Sequence, residues 1–247
     1  MIYVNNFKEL HLDDRETHVW FAHTALELNN SPMQDKLSSL DSDELHRYNR
    51  YKIPQKQREY LLGRIFLKKV LSQYLNVSHD DIKIQYNANG KPVLRSESNP
   101  IDLQFNLSHS NFGFACAVTL KNSVGIDIEY VIPLEQKHLN HYLAPEEIAY
   151  LSDVPPAERL KNLFQIWTLK EAFLKANDLF ETISPNDFFF TFEPTDIRIH
   201  TKKIQFPENW KFYFVMPADN FSLAIAVQTN YKTRHDVKYY CCDFNFL

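Results

Sequence analysis

Val124-Gly125-Ile126-Asp127-Ile128-Glu129-Tyr130 reads as a β-strand, because apolar and acidic side chains alternate along it. Alternation puts Asp127 and Glu129 on one face and Ile126 and Ile128 on the other, toward a core. On such a strand the two acidic Cα atoms lie roughly 7 Å apart, so both carboxylates can reach one hard cation. A plain solvated acidic face is the other reading open to this D-x-E pattern alone.

Outward from this strand, elements repeat in a similar order on both sides. Upstream, Asp41 and Glu44 form a capping-box pattern for a helix that ends before Pro54. A second helix is expected from about residue 57 to 75. Its apolar stripe includes Leu61, Ile65 and Leu71, with Arg64 and Lys68 on another face. Strands follow at 82–86, 103–107 and 112–120, with an Asn89-Gly90 turn between the first two. Downstream come a short helix near 145–151, a long one over 159–176, and strands at 188–192, 210–216 and 221–227. Helices followed by meandering strands, twice over, predict an α+β fold of two similar halves, each with a small, mostly antiparallel sheet and a long helix. The halves are expected to be residues 1–122 and 123–247.

The long downstream helix carries a second signal. At about 100° per residue, Leu160, Phe164, Trp167 and Leu174 share a stripe with Glu171 in its middle. A carboxylate among apolar neighbours needs a cation or a proton. A structural pair with Lys175, one turn on, is one answer, and a third acid for the strand pair is the other. With no His/Cys cluster in competition, an all-oxygen site suits magnesium better than zinc.

Composition excludes several classes. The 247 residues include only four glycines and no GxGxxG or GxxxxGK[ST] phosphate loop. With 44% hydrophobic residues, the chain can bury a proper core. No apolar run approaches membrane-spanning length, and no secretory signal is expected. Cys116, Cys241 and Cys242 lack metal-ligand spacing, which favours a reducing, cytoplasmic compartment. Net charge is −4, yet residues 43–69 hold eight basic residues against three acids, a local +5 against −9 elsewhere. Such an island meets phosphate or forms a solvated helix face, while the acidic remainder disfavours nucleic acid.

Gly125-Ile126-Asp127-Ile128-Glu129, followed about forty residues later by Trp167-Thr168-Leu169-Lys170-Glu171-Ala172-Phe173-Leu174-Lys175, resembles the two signature blocks of the 4′-phosphopantetheinyl transferases. Gly90-Lys91-Pro92, Asn106-Leu107-Ser108-His109-Ser110, and Leu62-Gly63-Arg64 with Arg58 ahead of it resemble further blocks of that family, in the same order. Length and order point to the surfactin-synthetase-activating type, a monomer built as a pseudo-dimer. The resemblance implies transfer of phosphopantetheine from coenzyme A to a serine of an apo acyl or peptidyl carrier protein, with magnesium as cofactor and 3′,5′-ADP released. The carrier would serve fatty-acid, polyketide or nonribosomal-peptide synthesis. It further implies that Asp127, Glu129 and Glu171 hold magnesium and that Lys175 contacts the phosphates. Arg58, Ser108 and His109 would hold the 3′-phosphate, with Arg47 nearby and Lys91 and Pro92 lining the nucleotide pocket. The serine proton would go to Glu171, to a metal-bound water or to Glu147. The chain departs from the pattern at Ala176-Asn177-Asp178-Leu179, where relatives carry a glycine turn, and at Glu44, where some carry lysine. Two rival functions stand beside this one: a magnesium-dependent nucleotidyltransferase and a non-catalytic coenzyme A-binding module. The first leaves Ser108-His109 and Lys91-Pro92 without a purpose. Against the second stand three acids that would repel a polyphosphate unless a metal intervened.

Overall fold

The structure, a computed structural model, describes residues 2–3, 10–23, 35–134, 141–177, 182–194, 196–229 and 234–242. It is α+β, with twelve strands and four α-helices among these residues. The order is β1 (Ile2–Tyr3), β2 (Glu16–His23), α1 (Ser42–Arg50), α2 (Pro54–Leu75), β3 (Ile84–Tyr86), β4 (Pro92–Leu94), β5 (Leu103–Ser110), β6 (Gly113–Leu120) and β7 (Val124–Tyr130). It continues with α3 (Pro145–Asp153), α4 (Pro156–Asn177), β8 (Phe189–Glu193), β9 (Asp196–His200), β10 (Trp210–Val215), β11 (Phe221–Gln228) and β12 (Asp236–Cys242).

The repeat is visible element by element. In each half a strand is followed by a 9-residue helix, a 22-residue helix, a two-stranded hairpin and a second antiparallel pair. The sheets also correspond, as β2-β6-β5 in the first half and β7-β11-β10 in the second. Helices α2 and α4 start 102 positions apart and have equal length, so Lys68 answers to Lys170. Both lysines are buried against the N3 glutamate of the preceding short helix: Lys68 Nζ to Glu44 Oε2 at 2.5 Å, and Lys170 Nζ to Glu147 Oε2 at 2.8 Å. Each glutamate also accepts the backbone N–H at its helix cap. Further hydrogen bonds support the buried lysines, to the Ser39 carbonyl for Lys68 and to those of Pro185 and Phe188 for Lys170. Glu44 is thus one half of an internal staple.

The layers run α2, five-stranded sheet, three-stranded sheet, α4. Trp20, Phe114 and Val118 face α2, packing with Leu62, Phe66 and Val70. Val19, Phe21 and Ala115 face the other way, against Ile126, Ile128 and Ile225. Strand β2 is therefore buried on both faces, which erases its alternation and hides it from a period-2 reading. Helix α2 is also buried on two sides, since Leu61 and Ile65 pack on Leu40. Arg64 and Lys68, read as lying on a separate basic face, are both buried. Strand β12 returns to the first sheet and pairs in parallel with β2, from Asp236 opposite Glu16 to Cys242 opposite Ala22.

Where β12 meets β2, His18 is fully buried, with Nδ1 2.9 Å from the Tyr74 hydroxyl and Nε2 3.3 Å from Glu16 Oε2. Burial pushes its pKa down from 6.5 to about 4, against the opposing pull of Glu16. The unfolded chain therefore binds this proton first, so stability is complete above pH 6.5 and falls as pH drops toward 4. The full loss is about 3 kcal/mol. From pH 7 to pH 5 the urea midpoint should fall more, or rise less, in the wild type than in His18→Gln, since the buried carboxylates titrate alike in both. An equal change in both would mean that His18 is not the group responsible.

Candidate functional site

The site lies where β5, β7 and α4 meet. Ile126 and Ile128 face the opposite sheet, while Gly125, Asp127 and Glu129 share the face turned to α4, as alternation requires. The outer edge of β7 does not pair with another backbone. Its N–H groups at Ile126, Ile128 and Tyr130 donate instead to Asn106 Oδ1 (2.9 Å), Ser108 Oγ (3.4 Å) and Ser110 Oγ (3.1 Å) on β5. The same two serines donate to the acids, Ser108 to Asp127 Oδ1 (2.9 Å) and Ser110 to Glu129 Oε2 (2.8 Å). Each serine thus stitches the two sheets together and orients one carboxylate.

Helix α4 supplies Glu171 and Lys175, one turn apart. The Lys175 ammonium pairs with Asp127 Oδ1 and lies 3.1 Å from Ser108 Oγ. Glu171 accepts a hydrogen bond from the Tyr142 hydroxyl. All three carboxylates therefore carry a hydroxyl donor. They also act on one another. Burial raises the Glu129 pKa to about 7, with Asp127 and Glu171 adding to the rise and Ser110 and Lys175 opposing it. Burial raises that of Glu171 as well, with Tyr142 and Lys175 pulling down and Asp127 pushing up. The stripe expected on α4 is displaced by one face: Glu171 and Trp167 are half-buried, and the fully buried charge on the helix is Lys170.

The other residues implied by resemblance fall into three groups. Lys91 and Pro92 line a cavity of about 210 Å³ together with Asn106 and Lys175. The Lys91 ammonium lies 2.8 Å from the Lys175 carbonyl oxygen and so neutralises the C-terminal end of α4. His109 is exposed. Local crowding lowers its pKa, Glu59 opposes that, and the cations of Lys56, Lys175 and Arg64 add to it. Arg58 is half-buried on α2, and the Arg47 guanidinium lies 3.5 Å above the Tyr86 ring, whose hydroxyl accepts from Arg64. Glu147 does not join the carboxylates. One of its oxygens holds Lys170 and the Ala144 N–H, the other the Phe190 N–H, and only 1% of the residue is exposed. Ser108, with a hydroxyl committed to Asp127 and Ile128, is tied to the acids. The turn beyond Asn177 lies outside the described residues. Sequence reasoning missed Ser110 and Tyr142 as site residues. Ser110 was legible, two residues from Ser108 on the same strand face. Tyr142, 29 residues from Glu171, sits at no spacing that would have marked it. Two larger cavities, of about 660 and 350 Å³, flank the β8–β9 hairpin and include none of the expected site residues.

Known proteins resemble this chain over both of its halves. Residues 123–226 match the 4′-phosphopantetheinyl transferase superfamily, and residues 29–119 match the 4′-phosphopantetheinyl transferase, N-terminal family. The 4′-phosphopantetheinyl transferase HetI of Nostoc sp. is 34% identical over 215 residues, which is 86% of this chain and 87% of that protein. The chain belongs to the 4′-phosphopantetheinyl transferases. A second relative, the 4′-phosphopantetheinyl transferase gsp of Aneurinibacillus migulanus, is 27% identical over 170 residues, 69% of each chain. Among solved structures, holo-[acyl-carrier-protein] synthase of Helicobacter pylori in complex with coenzyme A aligns with 22% identity and a TM-score of 0.36, over 43% of this chain and 99% of that one.

Membership makes the chain a transferase enzyme and sets aside the nucleotidyltransferase and the non-catalytic module. The transferases of this family use a divalent metal, and the donor set here fits one. Asp127, Glu129 and Glu171 are all-oxygen and anionic, and Asp127 Oδ2 is buried with no hydrogen-bond partner. Among the described residues no three such side chains already form a cation cage, and the positive charge at Asp127 comes from Lys175. Among the described residues the first half carries no counterpart of this acid set. The strand registers place Trp20 and Ala22 of β2 where β7 has Asp127 and Glu129. Lys69 of α2 stands where α4 has Glu171.

Proposed function

We propose that this transferase moves 4′-phosphopantetheine from coenzyme A to a serine of an apo carrier protein, with magnesium, releasing 3′,5′-ADP. The observation that carries the reading is three mutually coupled, half-to-fully buried carboxylates gathered around one lysine where β7 crosses α4. Bound magnesium would neutralise the pyrophosphate charge that these acids would otherwise repel. Asp127, Glu129 and Glu171 are its ligands, oriented by Ser108, Ser110 and Tyr142. Lys175 turns its ammonium from Asp127 to the phosphates and offsets charge on the leaving side. His109, exposed and set among cations, receives the 3′-phosphate together with Arg58, with Arg47 nearby, while Lys91 and Pro92 border the nucleotide. Glu171 takes the serine proton, since Glu147 is sealed in its pair with Lys170. We place the enzyme in the cytoplasm as a monomer. Among the described residues no helix is long and apolar enough to cross a membrane.

Mixed with coenzyme A, magnesium and apo carrier domains from several pathways, the protein should add one phosphopantetheine mass to a serine of at least one of them. Equimolar 3′,5′-ADP should appear, and chelating the metal should stop both. Tight binding of coenzyme A with no mass shift on any carrier would overturn the proposal.

A further inference from the structure

The last carbonyl groups of any α-helix lack partners within the helix itself. A glycine or asparagine in the left-handed conformation just past the last turn is the common local answer. Helix α2 ends this way, with Asn76 at φ +52° as its cap. The sequence holds no glycine after Gly125, so α4 has none to use. Its last turn instead receives a cation from the first half of the chain. The Lys91 ammonium lies 2.8 Å from the Lys175 carbonyl oxygen and 3.5 Å from that of Ala176.

The turn that bears Lys91 is braced. Asn87 Oδ1 accepts the N–H groups of Asn89 and Lys91, at 3.0 and 2.9 Å. The Asn87 N–H donates to the Lys91 carbonyl and the Gly90 N–H to that of Asn87, while Gly90 takes the positive φ of 80° that closes the turn. Lys91 therefore reaches a partner 84 residues away from a base with little freedom of its own. The residue whose carbonyl it holds also supplies the one cation among the acids. Lys175 turns its ammonium to Asp127 and Ser108, and its side chain borders the same cavity of about 210 Å³ as Lys91. A lysine side chain is long and flexible, so its reach is defined only as well as its backbone is held. Close contact with Gly125 seats Ala172 and Ala176 on β7, and Lys91 holds the end of that turn.

We propose that Lys91 is a positioning residue for the transfer: its ammonium clamps the last turn of α4 and so fixes the backbone from which Lys175 reaches the phosphates. This inference rests on the role proposed for Lys175 above. The negative end of the helix dipole draws the ammonium to these carbonyls. The charge of Lys91 is thereby engaged by α4, while its methylene groups remain as wall of the nucleotide pocket.

The test uses the full chain and the change Lys91→Met, which keeps that wall and removes the charge, with Lys91→Arg as the conservative variant. Amide hydrogen exchange should quicken about three- to tenfold over residues 173–177 in Lys91→Met and stay as in the wild type over 157–169. With the apo carrier domain that the wild type modifies fastest, kcat should fall by about tenfold. KM for coenzyme A and Kd for 3′,5′-ADP should stay within about twofold, with calorimetry still counting about one nucleotide site per chain, so that unfolded protein does not explain the loss. Lys91→Arg, which can donate to the same carbonyls, should recover most of the rate. In a Lys175→Ala background, Lys91→Met should lower the residual rate by less than about twofold, because the residue through which it acts is gone. A full loss persisting in that background, or weaker nucleotide binding without quickened exchange, would make Lys91 a direct contact of coenzyme A and overturn the proposal. Unchanged exchange over 173–177, or an unchanged kcat, would overturn it as well. If the wild type modifies no carrier, the proposed function fails and the positioning role falls with it, whatever exchange shows of the clamp.

Discussion

Gly125→Ala will destabilise the protein by about 3 kcal/mol or more, seen as a lower urea midpoint at constant slope. A Cβ at this position would overlap the backbone carbonyl oxygen of Ala172 and stand 2.5 Å from the Ala176 nitrogen. Backbone cannot swing aside as the end of a flexible side chain can. The helix would have to lift from β7, carrying Glu171 and Lys175 with it. Glycine is required here for close approach, since the residue sits in an ordinary strand without positive φ. Gly63 in α2 is the control, because its added Cβ would meet Phe114 no closer than 3.5 Å. Gly63→Ala should be neutral or stabilising by up to about 1 kcal/mol through helix propensity. Equal midpoints for the two variants would mean that α4 does not pack on β7 as closely as described.

Asp127→Ala should lower the transfer rate by on the order of a thousandfold or more and leave the fold intact. Asp127 is only 2% exposed and holds Lys175 and Ser108, so its loss removes a central anion of the site. The effects on stability oppose one another. Lys175 loses its partner but, being partly exposed, can turn to water, while Glu129 and Glu171 lose a repelling neighbour. Melting should move by no more than a few degrees. Manganese affinity of the complex with coenzyme A, measured by its effect on water proton relaxation, should weaken in parallel with the rate. Full activity at ordinary magnesium concentration, or unaltered manganese affinity, would sink the assignment of Asp127 as a metal ligand.

Much of this architecture could be read from local pattern. Alternation placed Asp127 and Glu129 on one face of β7, and the structure has them there, turned to α4. The capping box at Asp41 and Glu44 opened α1, and the helical period found α2, α4 and their approximate ends. The order of elements carried the two-fold repeat even where residues differ, because each half must bury one long helix against one small sheet. Family blocks then named residues that geometry brings together: Asp127, Glu129, Glu171 and Lys175.

Other features depended on contacts between segments far apart in the chain, which no local period records. Strand β12 pairs with β2 across more than two hundred residues, and β2 itself shows no alternation because both of its faces are covered. Lys68 and Lys170 look like ordinary charged positions on amphipathic helices, and only the opposing glutamates make their burial possible. Glu147 looked available for acid–base chemistry until the Lys170 pair and the Phe190 N–H claimed its oxygens. Tyr142 became a neighbour of Glu171 through packing alone. Side-chain periodicity determined which residues could share a face. Which faces meet was decided by burial and hydrogen-bond satisfaction in three dimensions, where one missing Cβ at Gly125 lets α4 rest on the strand that bears the acids.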